Sequence, residues 1–335
     1  MYGLLGDVLM RTPILNEIKK NYPNSEIFVF VDPIGKQVLK LNPNVTEVIV
    51  TDRTKKNRLK YIFNKIKTQL KIYSLNLDLF IDLYGSGSAI KMVKLSGVKY
   101  RLGFSNWKVW STNNIQIQEI NDNVFENPFH YTNRLYKILS FLDIQFKQLD
   151  TKPFIYSQES TDKSIQEYLR SFQKDNTYII SLGSGGLEKL LELERVYELI
   201  QFIYDEYQLI PSIVLNPGQE FLQEEMIKNY LEPNNIDYIR LKSLNIEEVV
   251  SLMKWSKFII VPDTGLYHIA VSVGIPIFSV FAFSNPELVK PSSGITQIYF
   301  EPTNNKDPFG LPLGTNKVLM SELKDSFKSF YTQLK

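Results

Sequence analysis

Three turn-like segments in the back half of the chain carry the residue types from which an anion site can be assembled. Pro262-Asp263-Thr264-Gly265-Leu266-Tyr267-His268 follows the apolar run Phe258 to Val261 and opens a helical pattern. Free N–H groups at a helix N-terminus, a small hydroxyl, a glycine that lets the backbone approach closely and an imidazole on the first turn together suit a phosphate. The same residues also describe an ordinary capped helix start. What favours a ligand is the position at the C-terminal end of a strand in a doubly wound sheet. Gly183-Ser184-Gly185-Gly186, with Lys189 close behind, follows the strand-like Tyr178 to Leu182. A glycine cluster alone marks a tight turn, whereas with a lysine it can hold a phosphate. Asn216-Pro217-Gly218-Gln219-Glu220 closes the next strand, and all three turns would open onto one sheet edge. The pattern by itself therefore points to a nucleotide or phosphosugar in the back half and names no reaction.

In the front half, Gly6-Asp7-Val8-Leu9-Met10 places an acid where the first helix opens. Taken alone, it reads as a cap, because an Asp side chain there accepts hydrogen bonds from free backbone N–H groups. Pro13, a turn and a half on, kinks or restarts that helix. Around Asp7, Ser184 and Asp263 there is no GxxxxGK[ST] and no GxGxxG, so neither an NTPase nor a dinucleotide enzyme is favoured. No GxSxG elbow occurs, and the two histidines, His130 and His268, lack a triad context. With no cysteine and only two histidines, thiolate and His-rich metal sites are excluded.

The elements that must position these residues alternate short β-rich runs with amphipathic segments, the signature of parallel sheets with crossover helices. In front, strands are expected at Glu26–Val31, Val45–Val50, Leu77–Leu83 and Tyr100–Gly103. Helices fall near Leu9–Asn21, Ile34–Leu41, Leu59–Ile72, Ala89–Leu95 and Tyr131–Leu142. Behind, strands are expected at Tyr178–Leu182, Ser212–Leu215, Asp237–Leu241, Phe258–Val261 and Ile277–Phe281. The helices lie near Thr161–Phe172, Glu192–Tyr207, Glu220–Asn229, Ile246–Trp255, Leu266–Val273 and Met320–Leu334. The Asn-, Gln- and Trp-containing stretch Gly103–Phe129 reads as irregular, and Asn304–Gly314 as a loop. Two α/β domains follow, residues 1–150 and 151–335, with the last helix placed either in its own domain or back on the first.

At 335 residues the chain suits two cores, and 44% hydrophobic with 22% charged residues is the composition of a folded globular protein. No apolar run is long enough to cross a bilayer, and the start MYGLLGDVLMR lacks the charged and apolar regions of a signal peptide, so a cytoplasmic protein is expected. The net charge of +2 is uneven: residues 1–150 hold 21 Lys+Arg against 13 Asp+Glu, and residues 151–335 hold 17 against 23. Eight basic residues (Arg53, Lys55, Lys56, Arg58, Lys60, Lys65, Lys67, Lys71) occur between Arg53 and Ile72 without one acid. Such a run is ordinarily a solvated helix face; the alternative is attraction to an anionic glycolipid or membrane headgroups. An α/β unit of this kind begins with an apolar strand, yet Met1 and Tyr2 run straight into Gly3-Leu4-Leu5-Gly6-Asp7, so the first strand is expected to be missing.

Over nearly its whole length the sequence resembles the ADP-heptose:lipopolysaccharide heptosyltransferases, glycosyltransferase family nine. The resemblance rests on GDVLMRTPILNEIKKNYPNSEIFVFV, NPNVTEVI, LDLFIDLYGSGSA with YRLGF, SLGSGGLEK and, most specifically, PDTGLYHIAVSVGIPIFSVFAFSNPELVKP. It implies the GT-B architecture, two Rossmann-like domains facing across a cleft, with acceptor in front and nucleotide-sugar behind. It further implies an inverting transferase that uses no metal and no cofactor, with an ADP-sugar as substrate, an anionic glycolipid acceptor at the inner membrane's cytoplasmic face and no nucleic-acid partner. By this resemblance Asp7 is the general base, and Ser184, Lys189, Gly218, Glu220, Asp263, Thr264, Gly265, Leu266 and His268 hold the donor. Lys189 stands in for the divalent cation other transferases use, and Arg101 belongs to the acceptor side. After Lys189 the sequence departs from the family's aromatic-then-proline pattern, with Leu190, Leu191 and Glu192. Two other readings stay open, a sugar-nucleotide epimerase of the same shape and a degenerate relative that only binds.

Overall fold

Short apolar runs, too short to form helices, become strands of parallel sheets. In the computed structural model the described residues are 1, 3–51, 58–84, 97–104, 115–117, 130–144, 151–174, 176–183, 189, 191–281, 284–300 and 319–335. The chain divides into two units, Met1–Phe154 and Ile155–Lys335.

The first unit runs α1 (Leu5–Leu9), α2 (Thr12–Asn21), β1 (Phe28–Val31), α3 (Pro33–Leu39), β2 (Glu47–Val50), α4 (Arg58–Ser74), β3 (Leu79–Ile81), β4 (Tyr100–Phe104), β5 (Ile115–Ile117) and α5 (Tyr131–Tyr136). Of the two outcomes expected at Pro13, a kink or a restart, the restart is found: α1 ends at Leu9 and α2 begins at Thr12. Pro13 lies in the first turn of α2, where its missing N–H has no partner to lose, so it restarts the helix. The strands form two separate parallel sheets, β1-β2 and β3-β4-β5. α1 is the first element among the described residues.

The second unit runs α6 (Glu159–Arg170), β6 (Thr177–Ser181), α7 (Leu193–Tyr207), β7 (Ile210–Val214), α8 (Glu220–Met226), β8 (Ile239–Arg240), α9 (Ile246–Lys254), β9 (Ile259–Pro262), α10 (Gly265–Val273), β10 (Ile277–Phe281), β11 (Thr296–Phe300) and α11 (Met320–Thr332). One parallel sheet has the order β11-β10-β9-β6-β7-β8. Numbered within the unit this is 3-2-1-4-5-6, the doubly wound order, and its direction reverses between β6 and β9. The core joins Tyr178, Ile180, Ile200 and Ile213 to Leu323, Phe327 and Phe330, so α11 packs on its own unit. Phe258 and Phe278 meet Phe327 with ring centroids 5.9 and 5.3 Å apart.

Two strands escape the pattern reading. β5 sits inside the Asn- and Gln-rich tract, and β11 is an edge strand whose Thr-Gln-Ile-Tyr-Phe alternation follows a Pro- and Ser-containing loop. The helix expected over Glu220–Asn229 widens at Met226 into a π turn, Ile227–Leu231. The helix expected at Ala89–Leu95, the loop Asn304–Gly314 and most of Gly103–Phe129 lie outside the described residues.

Candidate functional site

Because every strand of the second sheet points the same way, the turns after β6, β7, β9 and β10 open at one edge. The turns after β6 and β7 touch. A Cβ on Gly183 would stand 2.1 Å from Asn216 Nδ2 and 2.2 Å from Gln219 Oε1, so only glycine fits there. Gly218 has φ +80°, a left-handed conformation that glycine adopts without strain. Its N–H donates to Glu220 Oε1 at 3.0 Å. Glu220 is exposed, and the backbone N–H groups of Glu220 and Gly218 hold its carboxyl below the usual range. In this structure Glu220 closes its own turn.

Across the switch point, Lys189 donates from Nζ to Asp263 Oδ2 at 2.7 Å, and Ser284, just past β10, donates from Oγ to the same oxygen. The Asp263 side chain is only 12% exposed and that of Lys189 27%. Leaving a carboxylate so covered without partners would cost several kcal/mol, in the range of about 3–5 for a broken buried pair. The ion pair therefore anchors the ammonium beside the start of α10. Thr264 takes the N-cap position in extended conformation, yet makes no side-chain cap bond. Its Oγ1 is buried with no hydrogen-bond partner among the described residues. Gly265 and Leu266 head the helix, where N–H groups have no acceptor inside it. His268 is buried in the first turn, its ring edge-on to Tyr267 at 5.4 Å, and its carbonyl accepts from Ser272 Oγ at 2.8 Å. Burial first, then the charges of Asp263 and Glu287, raises the Tyr267 phenol above its ordinary range. Unpaired donor groups and an ammonium thus gather where the sheet reverses direction, an arrangement that can bind a diphosphate. Ser184 lies outside the described residues.

In the first unit, Asp7 is the third residue of α1 and its Oδ2 accepts the Leu4 N–H at 2.8 Å. The carboxylate rests against Gly3, whose φ is +119° and whose added Cβ would lie 2.6 Å from Oδ2. Sequence reasoning missed Arg11. It is 3% exposed and donates from Nε to the Leu83 carbonyl (2.9 Å), from Nη1 to the Asp7 carbonyl (2.7 Å) and from Nη2 to Tyr131 Oη (2.6 Å). Its guanidinium also lies over the Tyr84 and Tyr131 rings, 5.5 and 5.6 Å from their centroids. Bonded through all three of its nitrogens, the guanidinium fastens the Asp7 turn to β3's C-terminal end and to α5. Nothing in the local pattern marks Arg11, because its partners come from far along the chain. Arg101, on β4, is half-buried and donates from Nη1 to the Val98 carbonyl. The described residues expected to hold a donor thus lie in the second unit, while Asp7 and Arg101 belong to the first.

Two surface facts complete the inventory. Along α4, Ile62, Phe63, Ile66, Leu70 and Tyr73 are exposed, interleaved with Lys65 and Lys67, while Lys71 pairs with Glu47 at 2.8 Å. Among the described residues no three His, Asp or Glu side chains cluster closely enough to hold a metal ion, and no helix is long and apolar enough to cross a membrane.

Comparison with known proteins finds one family by sequence. The family described as glycosyltransferase family 9 (heptosyltransferase) matches residues 134–309. Lipopolysaccharide heptosyltransferase 1 of Campylobacter coli is 24% identical over 286 residues, covering 83% of this chain and 81% of that protein. Among solved structures, the glycosyl transferase family 9 protein from Veillonella parvula superposes with a TM-score of 0.83 at 19% identity, over 99% of this chain and 96% of that one. The E. coli ADP-heptose LPS heptosyltransferase II superposes with a TM-score of 0.77 at 15% identity, over 99% and 98%. These likenesses establish the GT-B fold.

The Gly3 geometry yields a direct test. Gly3→Ala forces a Cβ into a left-handed conformation and against the Asp7 carboxylate, and should cost about 1–2 kcal/mol by urea unfolding. Unchanged stability would show that the turn does not hold Asp7 as described.

Proposed function

Because the chain belongs to glycosyltransferase family 9, the heptosyltransferases, we propose that it transfers a heptose or related sugar from an ADP-sugar to a lipopolysaccharide-core or similar glycan acceptor, inverting the anomeric centre without a metal. The single observation that carries the donor half is the Lys189–Asp263 pair beside the N-terminus of α10, at the switch point between β6 and β9. A nucleoside diphosphate placed there would accept from the N–H groups of Gly265 and Leu266 and from Thr264 Oγ1, with Lys189 supplying positive charge.

In the proposed step, an acceptor hydroxyl oxygen attacks the anomeric carbon while Asp7 removes its proton. The bond from that carbon to the phosphate oxygen breaks, and the electron pair leaves with ADP. Charge growing on the departing diphosphate is met by the α10 N-terminus and the Lys189 ammonium, both fixed beforehand, which is where stabilisation is most effective. Positive charge delivered by these groups does the work that a divalent cation does elsewhere. Asp263 positions Lys189, and Ser184, Gly218, Glu220 and His268 belong to the donor side in this reading, as Arg101 does to the acceptor side.

The structural likeness to the E. coli ADP-heptose LPS heptosyltransferase II supports the choice of donor. A lipid-linked acceptor places the enzyme at the cytoplasmic membrane face, and α4 is the surface suited to peripheral contact, through its exposed apolar side chains and lysines. Anionic vesicles should sediment the protein, and Phe63→Ser with Leu70→Ser should release it; equal sedimentation of both would remove α4 from this role.

Asp7→Asn should lower transfer by about 10²–10⁴-fold while ADP still binds in calorimetry. Lys189→Met should weaken ADP binding by about tenfold or more, the loss of one charge-assisted contact. Transfer by the Asp7→Asn protein at the original rate would remove the base assignment. Sugar release or epimerisation without acceptor would replace transfer with epimerase chemistry.

A further inference from the structure

Among the described side chains, Arg11 is the one lysine or arginine that is buried. Taking a cation out of water is costly, and a well-packed apolar side chain of similar volume is often as stable in such a place. What an apolar side chain cannot do is donate. The acceptors that Arg11 reaches lie around Asp7. α1 has only five residues, too few to hold its own shape. It ends at Leu9 before α2 begins at Thr12, and a helix end leaves carbonyls without helical partners. The Arg11 N–H bonds the Val8 carbonyl at 3.1 Å, not the Asp7 carbonyl four residues back. Side chains supply what the backbone does not. Arg11 Nη1 donates to the Asp7 carbonyl at 2.7 Å, Thr12 Oγ1 to the Leu9 carbonyl at 2.7 Å and Thr132 Oγ1 to the Met10 carbonyl at 3.1 Å.

Distant elements anchor these bonds. Arg11 Nε donates to the Leu83 carbonyl just past β3, and Nη2 to Tyr131 Oη on α5. Thr132 is the next residue of α5, and its own N–H is held by His130 Nδ1 at 3.2 Å. The end of β3 and the first turn of α5 therefore fix the main chain at Asp7. From the other side the Leu4 N–H holds the carboxylate, donating to Oδ2 at 2.8 Å. A carboxylate tied at its backbone and at one oxygen keeps one direction.

We infer that Arg11 is a positioning residue: through the Asp7 carbonyl it sets where the Asp7 carboxylate stands, and so governs the rate of proton removal and not the binding of either substrate. The inference rests on the proposed role of Asp7 as base. A base must lie within hydrogen-bond reach of the proton it takes, and a displacement of about 1 Å can cost about 10²-fold in rate. Lysine is no substitute. Its ammonium is one point on a flexible stem, whereas the planar guanidinium fork reaches Leu83, Asp7 and Tyr131 together.

The test is a cycle of Asp7→Asn, Arg11→Lys and the two together in the full chain, assayed for transfer from ADP-heptose to a lipopolysaccharide-core acceptor. Arg11→Lys should lower kcat by about 10²-fold, with the KM of each substrate within about twofold of its original value. Added to Asp7→Asn, it should lower kcat by no more than about twofold further, because residues acting as a unit are not additive. A residue that only stabilises the fold would multiply with Asp7→Asn instead. Tyr131→Phe, which keeps the ring and removes the acceptor of Nη2, should lower kcat by about fivefold, the loss of one hydrogen bond. Independently of turnover, the Leu4 amide, which reports the bond to Asp7 Oδ2, should exchange about tenfold faster or more in Arg11→Lys, with β4 amides unchanged. Unchanged kcat in Arg11→Lys beside an impaired Asp7→Asn, a multiplicative double variant, or unchanged Leu4 exchange would overturn the inference and leave the base assignment standing. Full transfer by Asp7→Asn would instead remove the base assignment, and this inference with it.

Discussion

Parallel pairing of β6 with β9 is the interaction on which the candidate site depends. It brings together strand ends about eighty residues apart in sequence and sets them where the sheet changes direction. A reversal of strand order is where doubly wound sheets bind their ligands, because the crossover helices on either side leave in opposite directions. The contacts of the candidate site follow from that pairing and from those beside it. Gly183 can contact the Asn216–Gln219 turn only because β6 and β7 are neighbours, and Lys189 can reach Asp263 only because β6 and β9 are. Ser284 joins them from the end of β10, the next strand out.

Burial then decides which polar groups hold still. Asp263 is covered enough that it must be paired, and Lys189 and Ser284 meet that need, while Thr264 Oγ1 at the start of α10 has no partner among the described residues. Arg11 obeys the same rule in the first unit. A guanidinium this deeply covered survives by satisfying its donors, and in doing so it ties together α1, β3 and α5 around Asp7. Gly3 and Gly183 are the steric counterparts. Each lets a carboxylate or an amide turn lie where a methyl group would collide.

Much of this was legible in the residues. Short β-branched runs gave away the strands of the second unit, and strand-then-glycine turns pointed to one shared edge before any coordinates. The helix start at Thr264 was equally plain, since Asp-Thr-Gly after an apolar strand has few other readings. Arg11 and Ser284 were not legible, because what makes them matter is a set of partners 72, 120 and 21 residues away that only the folded chain supplies. The edge strands β5 and β11 were hidden for a different reason: with one neighbour each they need no strong apolar pattern. The cap reading of Asp7 and the base reading are compatible, since its carboxylate does bond the Leu4 N–H.

Hydrogen exchange of individual amides, measured with and without saturating ADP, tests most directly whether the helix start beside the Lys189–Asp263 pair holds the anion. ADP should slow exchange at Gly265 and Leu266 by about tenfold or more, as expected when N–H groups at a helix N-terminus take a phosphate, with β1 and β3 unchanged. ADP that binds while those two amides exchange at their original rate would contradict it.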